Sequence, residues 1–319
     1  MGETGIKGKH LLSISDLSAE DIRSLIRTAI DSKDSCWVSL LENKTLALLF
    51  EKPSLRTRVS FEVAMLQLGG KAIYLSPAEV GLGGRESVPD VARVLSRYVD
   101  VIAARTFSHQ TVETLAAYSD VPVINALSDL EHPCQALADL LTIYEKKGEL
   151  KDLTLAFVGD GNNVANSLLL AAALMGINFR ISSPAGFEIQ DTVLKKAQKY
   201  SKKSGSEIML LKEPRLAIFG ADIVYTDVWT SMGQEAEVEK RRKAFANYRV
   251  DKKLLSLAKK DAIFMHDLPA HRGEEVTEEV IDGPQSVVFD QAENRMHAQK
   301  ALLAMMLKGS SNTMSGYEK

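Results

Sequence analysis

Along almost the whole chain, short apolar runs alternate with longer amphipathic stretches. Few folds tolerate that alternation. A strand buried on both faces of a parallel sheet needs continuous apolar residues, while the helix that covers it needs only one apolar face. In the first half the pattern predicts strands over 46–50, 71–75, 99–104 and 121–125, and helices over 18–33, 55–68, 88–98 and 110–118. A helix over 134–147 then runs into the polar stretch 146–152, the expected domain junction. In the second half, 154–158, 178–182, 223–226, 263–265 and 287–289 read as strands, and 163–175 as a helix that is apolar on most of its surface. A chain of 319 residues is long enough for two such domains. The expected fold is therefore α/β, with two domains, each a parallel β-sheet flanked by helices. The Ser-rich tail beyond Lys308 is expected to fray.

The stretch richest in chemistry is Phe50-Glu-Lys-Pro-Ser-Leu-Arg-Thr-Arg58. A strand ends at Phe50, Pro53 breaks the chain, and Ser54 stands where a helix N-cap would stand. The helix that follows stops at Gly69-Gly70. Ser54, Leu55, Arg56 and Thr57 thus crowd a first turn whose unpaired N–H groups and dipole favour an anion. Two arginines and two hydroxyls there could supply donors to phosphate oxygens. Taken alone, the stretch reads equally well as a capped helix with solvated arginines. Two other loops shift that balance. Arg105-Thr106 follows an apolar strand, and in His132-Pro-Cys-Gln135 the proline suits the first helical position. Three loops presenting donors at one sheet edge make an anion pocket.

Composition excludes several alternatives. With 39 Lys+Arg against 42 Asp+Glu the formal net charge is -3, so nothing points to nucleic acid and an anion must be held locally. Cys36 and Cys134 are the only cysteines and lack metal-ligand spacing, which fits a reducing cytosol. No apolar run reaches membrane-spanning length, the first residues lack a signal core, and Ile6 departs from the myristoylation signal that Gly2 would open. A cytoplasmic protein with no membrane partner is expected. His266 and His271 could suggest a metal, but no further histidine or cysteine supports one, so neither metal nor cofactor is expected. Val158-Gly-Asp-Gly-Asn-Asn-Val164 follows a strand and opens a helix, as a dinucleotide fingerprint would. However, Val164 replaces the third glycine, and the next strand ends in Ser182-Ser-Pro without an acid for a ribose.

The motifs Ser54-Leu-Arg-Thr-Arg58, Arg105-Thr106, His132-Pro-Cys-Gln135, Asp227-Val-Trp-Thr-Ser-Met-Gly233, His266-Asp-Leu-Pro-Ala-His-Arg-Gly273 and Glu293-Asn-Arg-Met-His297 occur in this order. The ordered set resembles the aspartate/ornithine carbamoyltransferase family, and its Ser-Met-Gly segment resembles the ornithine-specific members. The resemblance implies transfer of the carbamoyl group of carbamoyl phosphate to the δ-amine of L-ornithine, giving L-citrulline and phosphate. It also implies an active site in the cleft between a carbamoyl phosphate domain (1–147, with a C-terminal helix at about 297–319 returning to it) and an ornithine domain (148–296). A homotrimer, or a multiple of trimers, is implied as well.

Carried over residue by residue, Ser54, Leu55 through its backbone, Arg56, Thr57, Gly81, Arg105, His132, Gln135, Asp267, Leu268 and Arg295 would form the carbamoyl phosphate site. Asn163, Asn166, Asp227, Ser231 and Met232 would hold ornithine. The sequence departs from the family pattern at Asp267, where cysteine is usual, and at Gly81, where a neighbouring subunit's glutamine usually reaches the ligand.

Attack by an amine builds negative charge on the carbonyl oxygen and then on departing phosphate, so fixed donors at both places are the main requirement. Arg105, His132 and Thr57 suit the first; Ser54, Arg56 and the helix terminus suit the second. A neutral His132 is expected to donate a hydrogen bond, and Cys134 to pack. Asp227 fits the α-ammonium or, alternatively, caps a helix. Asn163 fits the carboxylate, and Asn166, three residues on, shares its helix face. The Asp267 side chain either turns away or acts as the catalytic base. Rival readings are a sibling enzyme for putrescine or an acylated ornithine, a non-catalytic ligand-binding paralogue, and the dinucleotide oxidoreductase.

Overall fold

The structure, a computed structural model, describes residues 5–308 apart from 35, 36, 38, 83 and 231–234. Cys36, Ser231, Met232 and the Ser-rich tail lie outside the described residues. The chain forms two compact units, Met1–Leu141 with Asn294–Lys319, and Thr142–Glu293.

The first unit contains α1 (Ala19–Asp34), β1 (Thr45–Phe50), α2 (Leu55–Gln67), β2 (Lys71–Leu75), α3 (Pro77–Val80), α4 (Val88–Leu95), β3 (Val101–Arg105), α5 (His109–Tyr118), β4 (Val123–Leu127) and the start of α6 (Pro133–Lys147). Its sheet has the order β2-β1-β3-β4, with every pairing parallel. β3 is buried at every position, and the apolar residues of β1 and β3 pack with Val112, Leu115 and Ala116 of α5. Each such side chain contributes about 1.5–3 kcal/mol on burial. From β1 the chain lays β2 on one side and β3 on the other, so the switch point falls between β1 and β3. The loops after β1, β3 and β4 leave from the same edge of the sheet.

The second unit continues α6 and adds β5 (Thr154–Val158), α7 (Asn163–Met175), β6 (Asn178–Ser182), α8 (Asp191–Ser204), β7 (Ile208–Leu211), α9 (Pro214–Ile218), β8 (Ile223–Tyr225), α10 (Val238–Phe245), α11 (Lys252–Leu255), β9 (Ile263–Met265), α12 (Glu278–Ile281) and the start of α13 (Val288–Leu307). Its parallel sheet has the order β7-β6-β5-β8-β9, with the switch point between β5 and β8. Phe157 of β5 stacks on Tyr225 of β8 at 5.5 Å, and Gln291 Nε2 donates to the Tyr225 hydroxyl at 3.0 Å.

The fold corrects the expectations for three segments and adds one strand that was not expected. The stretch 287–289 is not a strand. Residues 285–287 make a short β-like contact, with Phe264 N–H donating to Gln285 O (2.7 Å) and Val287 N–H to Phe264 O (3.0 Å), and α13 then begins at Val288. Three β-branched and aromatic residues look like a strand, but the long helix continuing from them decides the outcome. Strands β3 and β4 begin two residues later than expected. Val99 N–H is taken by Leu95 O at the end of α4, and Val121 by a Ser119 turn. Finally, β7 is an edge strand with Met209 and Leu210 exposed, so it lacks the continuous burial that marks the other strands.

Candidate functional site

In the first unit Ser54 is the N-cap of α2, accepting from Thr57 N–H at 3.3 Å. Thr57 is fully buried, and its hydroxyl gathers the site. Thr57 Oγ1 accepts from Ser54 Oγ at 2.9 Å, from Arg295 Nη2 at 2.6 Å and from Arg105 Nη1 at 3.4 Å. Arg295 arrives from α13, far along the chain, and its Nη2 also lies 3.1 Å from His132 Nε2. The Leu55 side chain is 77% exposed, so this residue offers the pocket only its backbone at the first helical turn. Arg56 is half-buried in the same turn. The second arginine of the motif does not join: Arg58 pairs with Glu62 at 2.9 Å and stacks over the Tyr74 ring at 4.0 Å.

His132 ends a loop pinned from below. Glu131 accepts from Ile14 N–H at 3.0 Å and from the Ser13 hydroxyl, and Asn125 Nδ2 donates to Ser128 Oγ at 3.1 Å. Burial, then Arg295, Arg105 and Lys52, hold the His132 pKa well below the usual imidazole value, so the ring is neutral. Gln135 Nε2 donates to Asp139 at 2.9 Å, while its Oε1 is buried with no partner among the described residues. That leaves an acceptor aimed at no protein donor. Burial pushes the Cys134 thiol up to about 12, so it is an inert packing group.

Sequence reasoning overlooked Lys52. Its side chain is buried, its Nζ stands 5.1 Å from the Phe107 ring centroid, and burial followed by Arg105 pushes its pKa down to about 8. Its position two residues before the phosphate motif was the available signal. Cations crowded in a low-dielectric place repel one another, and a bound anion relieves that repulsion.

In the second unit the Asn pair before α7 divides its work. Asn162, also overlooked, is the cap: its Oδ1 accepts from Val164 and Ala165 N–H at 3.1 Å, and its Nδ2 donates to Asp227 Oδ2 at 2.7 Å. The preference of helix caps for asparagine fits Asn162 and Asn163 alike, so only the fold separates them. Asn163 opens the helix half-exposed, whereas Asn166 is 1% exposed within it. No helix starts at Asp227, so it is not a cap. It follows β8, buried, and accepts from Val228 N–H at 2.7 Å.

Asp267 and Leu268 follow β9. Leu268 has φ +57, a strained conformation for leucine by about 1–2 kcal/mol, and a cis bond to Pro269. Its N–H donates to His266 Nδ1 at 2.9 Å. Asp227, His266 and Asp267 each put a ligand-type atom within 4.8 Å of the others. His266 brings no lone pair to a metal, however, because Nδ1 accepts the Leu268 N–H and Nε2 faces Glu275 Oε1 at 3.2 Å.

The Gly-rich turn after β5 has no room for a dinucleotide. Gly161 N–H donates to Phe187 O at 2.8 Å, and a Cβ on Gly161 would stand 2.4 Å from the Glu188 backbone. Segment 187–189 therefore occupies the space that a pyrophosphate needs. Asp160 in the same turn is committed to Arg241 at 2.6 Å. Gly81 lies after α3 with φ +54, its carbonyl accepting from Arg85 N–H at 2.9 Å.

Fold and site define a two-unit α/β protein with a cationic pocket at the switch point of its first sheet and a buried carboxyl–amide cluster at that of its second. Residues 9–145 match the family model described as the aspartate/ornithine carbamoyltransferase carbamoyl-P binding domain, and residues 151–306 match the Asp/Orn binding domain. The chain is 56% identical over 306 residues to the ornithine carbamoyltransferase of Hyperthermus butylicus, covering 94% of this chain and 98% of that one. It is 54% identical over 308 residues to the anabolic ornithine carbamoyltransferase of Pyrococcus furiosus, covering 95% and 98%. A solved Pyrococcus furiosus ornithine carbamoyltransferase superimposes with a TM-score of 0.92 at 53% identity, over 95% of this chain and 98% of that one. The chain belongs to the aspartate/ornithine carbamoyltransferase family. Among the described residues no helix is long and apolar enough to cross a membrane.

Proposed function

We propose that the chain transfers the carbamoyl group of carbamoyl phosphate to the δ-amine of L-ornithine, releasing L-citrulline and phosphate. The observation that carries this reading is the buried convergence on Thr57 of Ser54, Arg105 and Arg295, with neutral His132 against Arg295. Ser54, Arg56, Arg295 and the N-terminal turn of α2 suit the phosphate, which carries negative charge before and after transfer. Thr57, Arg105 and His132 then face the carbonyl oxygen, where charge develops only during attack, and their bonds strengthen in the transition state. The buried Gln135 Oε1 supplies an acceptor for the carbamoyl N–H, fixing which end of the planar group faces the amine. His132 takes the Arg295 donor at Nε2 and so keeps its one N–H, on Nδ1, to donate, while its depressed pKa makes it a poor base for the amine's proton.

In the second unit Asp227 takes the α-ammonium and Asn163 the carboxylate of ornithine, with Asn166 set deeper behind it, and Ser231 and Met232 take its aliphatic body. Leu268 contributes its backbone to the carbamoyl group. The biosynthetic direction is supported by the relative named as anabolic. A cytoplasmic homotrimer follows from the family resemblance, and the exposed Ile73 of edge strand β2 beside exposed Leu66 is an apolar strip suited to a second copy.

The test is citrulline formation with competing acceptors. L-Ornithine should react, while putrescine, which lacks the carboxylate, acetylornithine, which lacks the free α-ammonium, and aspartate should react at a small fraction of that rate. Putrescine matching ornithine would reassign the second unit to a diamine.

A further inference from the structure

Asp227 and Asp267 each put a carboxyl oxygen within 4.8 Å of the other. Two carboxylates this close in a buried place repel each other, and one proton held between them relieves that repulsion, because an ionised carboxylate is acceptor-only. Among the described residues, the hydrogen-bond donors to Asp227 bring no proton that could take its place. Asn162 Nδ2 donates to Asp227 Oδ2, and Val228 N–H to Oδ1, each at 2.7 Å, and both donors are neutral. His266 Nδ1 lies 3.6 Å from Asp267 Oδ1, but that nitrogen accepts the Leu268 N–H and carries no proton, while the other ring nitrogen faces Glu275. Asp227 is 6% exposed, so water does little to screen the pair. Burial, and then the charge of Asp267, hold the Asp227 pKa well above the usual carboxylate range, against the Asn162 bond.

We infer that Asp227 and Asp267 share one proton in the free protein, and that the α-ammonium of the acceptor amino acid displaces it on binding. The inference rests on reading this unit as the ornithine site. The exchange is balanced: the pair's proton passes to solvent, the ammonium keeps its own three, and no covalent bond changes. Asp267 is thereby a positioning residue. It sets the protonation of Asp227, and the two acids titrate as a unit. The family's usual cysteine would give Asp227 no carboxyl partner at this position. Below the pair's pKa, each binding event must expel a proton, so the dissociation constant of an ammonium-bearing ligand should fall roughly tenfold per unit rise in pH, then level off.

The test uses L-norvaline, which keeps ornithine's α-ammonium and carboxylate but lacks the δ-amine, so no ligand proton confuses the count. It is titrated calorimetrically into the full-length protein with inorganic phosphate present, in two buffers of different ionisation heat, from about pH 5.5 to about pH 8. The expected result is release approaching one proton at the acid end, with the tenfold slope. In Asp267→Asn, whose amide can donate to an ionised Asp227, both release and slope should shrink, leaving only what burial alone sustains. Norvaline binding without proton release at any pH, or full release retained in Asp267→Asn, would overturn the inference. Citrulline formation from ornithine, assayed on the same preparation, separates the two ideas. If citrulline forms without linked proton release, only the shared proton is lost. If norvaline does not bind and no citrulline forms, the ornithine reading fails and takes this inference with it.

Discussion

Lys52 and Arg56 stand only four positions apart in the chain, yet they act on an anion in different ways. Arg56 is a guanidinium in the first turn of a helix, and charge-assisted bonds of the kind it can offer an anion are worth about 1.5–3 kcal/mol each. Arg56→Ala should therefore weaken carbamoyl phosphate binding by at least about tenfold to a hundredfold while leaving the melting temperature nearly unchanged. Calorimetry showing unaltered affinity would remove this helix terminus from the site. Lys52 makes a different prediction. With its pKa pushed down to about 8 by burial and Arg105, it is a cation below that pH and neutral above it. Carbamoyl phosphate affinity should consequently decline as pH rises through about 8, and Lys52→Arg, which keeps its charge, should lose that alkaline limb. An identical pH profile in the arginine variant would show that Lys52 does not govern it.

At the scale of elements, the glycine after α3 tests the sequence expectation most directly. Restoring the family's glutamine at Gly81 could add about one hydrogen bond, roughly 0.5–1.5 kcal/mol. But φ is +54 there, which costs a non-glycine residue about 1–2 kcal/mol, and a new Cβ would sit 3.1 Å from Arg85 Cβ. Gly81→Gln should thus lower thermal stability and leave the affinity for carbamoyl phosphate no better than before. A tenfold gain would mean the loop re-forms around the new side chain. The same contrast marks what could be read from the chain alone. Ser54 as a cap, the helix behind it, and Thr154–Val158 as a buried strand were legible, because each depends on residues only a few positions away. Arg58 was not. Nothing local says that Tyr74 and Glu62 will draw it aside while Arg56 remains at the turn. Asn162 and Lys52 escaped for a related reason: their partners, Asp227 and Arg105, come from other strands brought alongside by the sheets. The 287–289 run misled because three residues cannot reveal the length of the helix that absorbs them.

For the whole molecule, two buried groups pull stability in opposite directions with pH. The native pKa of His132 is depressed, so below about 6.5 the unfolded chain takes up a proton that the native first unit refuses. Stability of that unit is full above this value and falls as pH drops from it. The Asp227 pKa is raised, so its contribution is full below the unfolded value, near 3.8, and is lost as pH rises through the native one. Because His132 belongs to the first unit and Asp227 to the second, acid and alkali should loosen different parts of the chain. Hydrogen exchange at about pH 5.5 and about pH 8.5, corrected for intrinsic rates, should show protection lost first in the unit containing α2 and at the higher pH in the unit containing α7. Uniform loss across both units at either pH would contradict this assignment.

The helices α6 and α13 each begin in one unit and end in the other, so the second unit is a single continuous insertion within the first. On a ribosome this order imposes a schedule. All four strands of the first sheet, with Thr57, Arg105 and His132, emerge early, but Arg295 is made only after the entire second unit. Until then Thr57 and His132 lack the guanidinium that joins them. A nascent or prematurely terminated chain therefore carries an incomplete anion pocket, and competence for the substrate arrives only with the last helix.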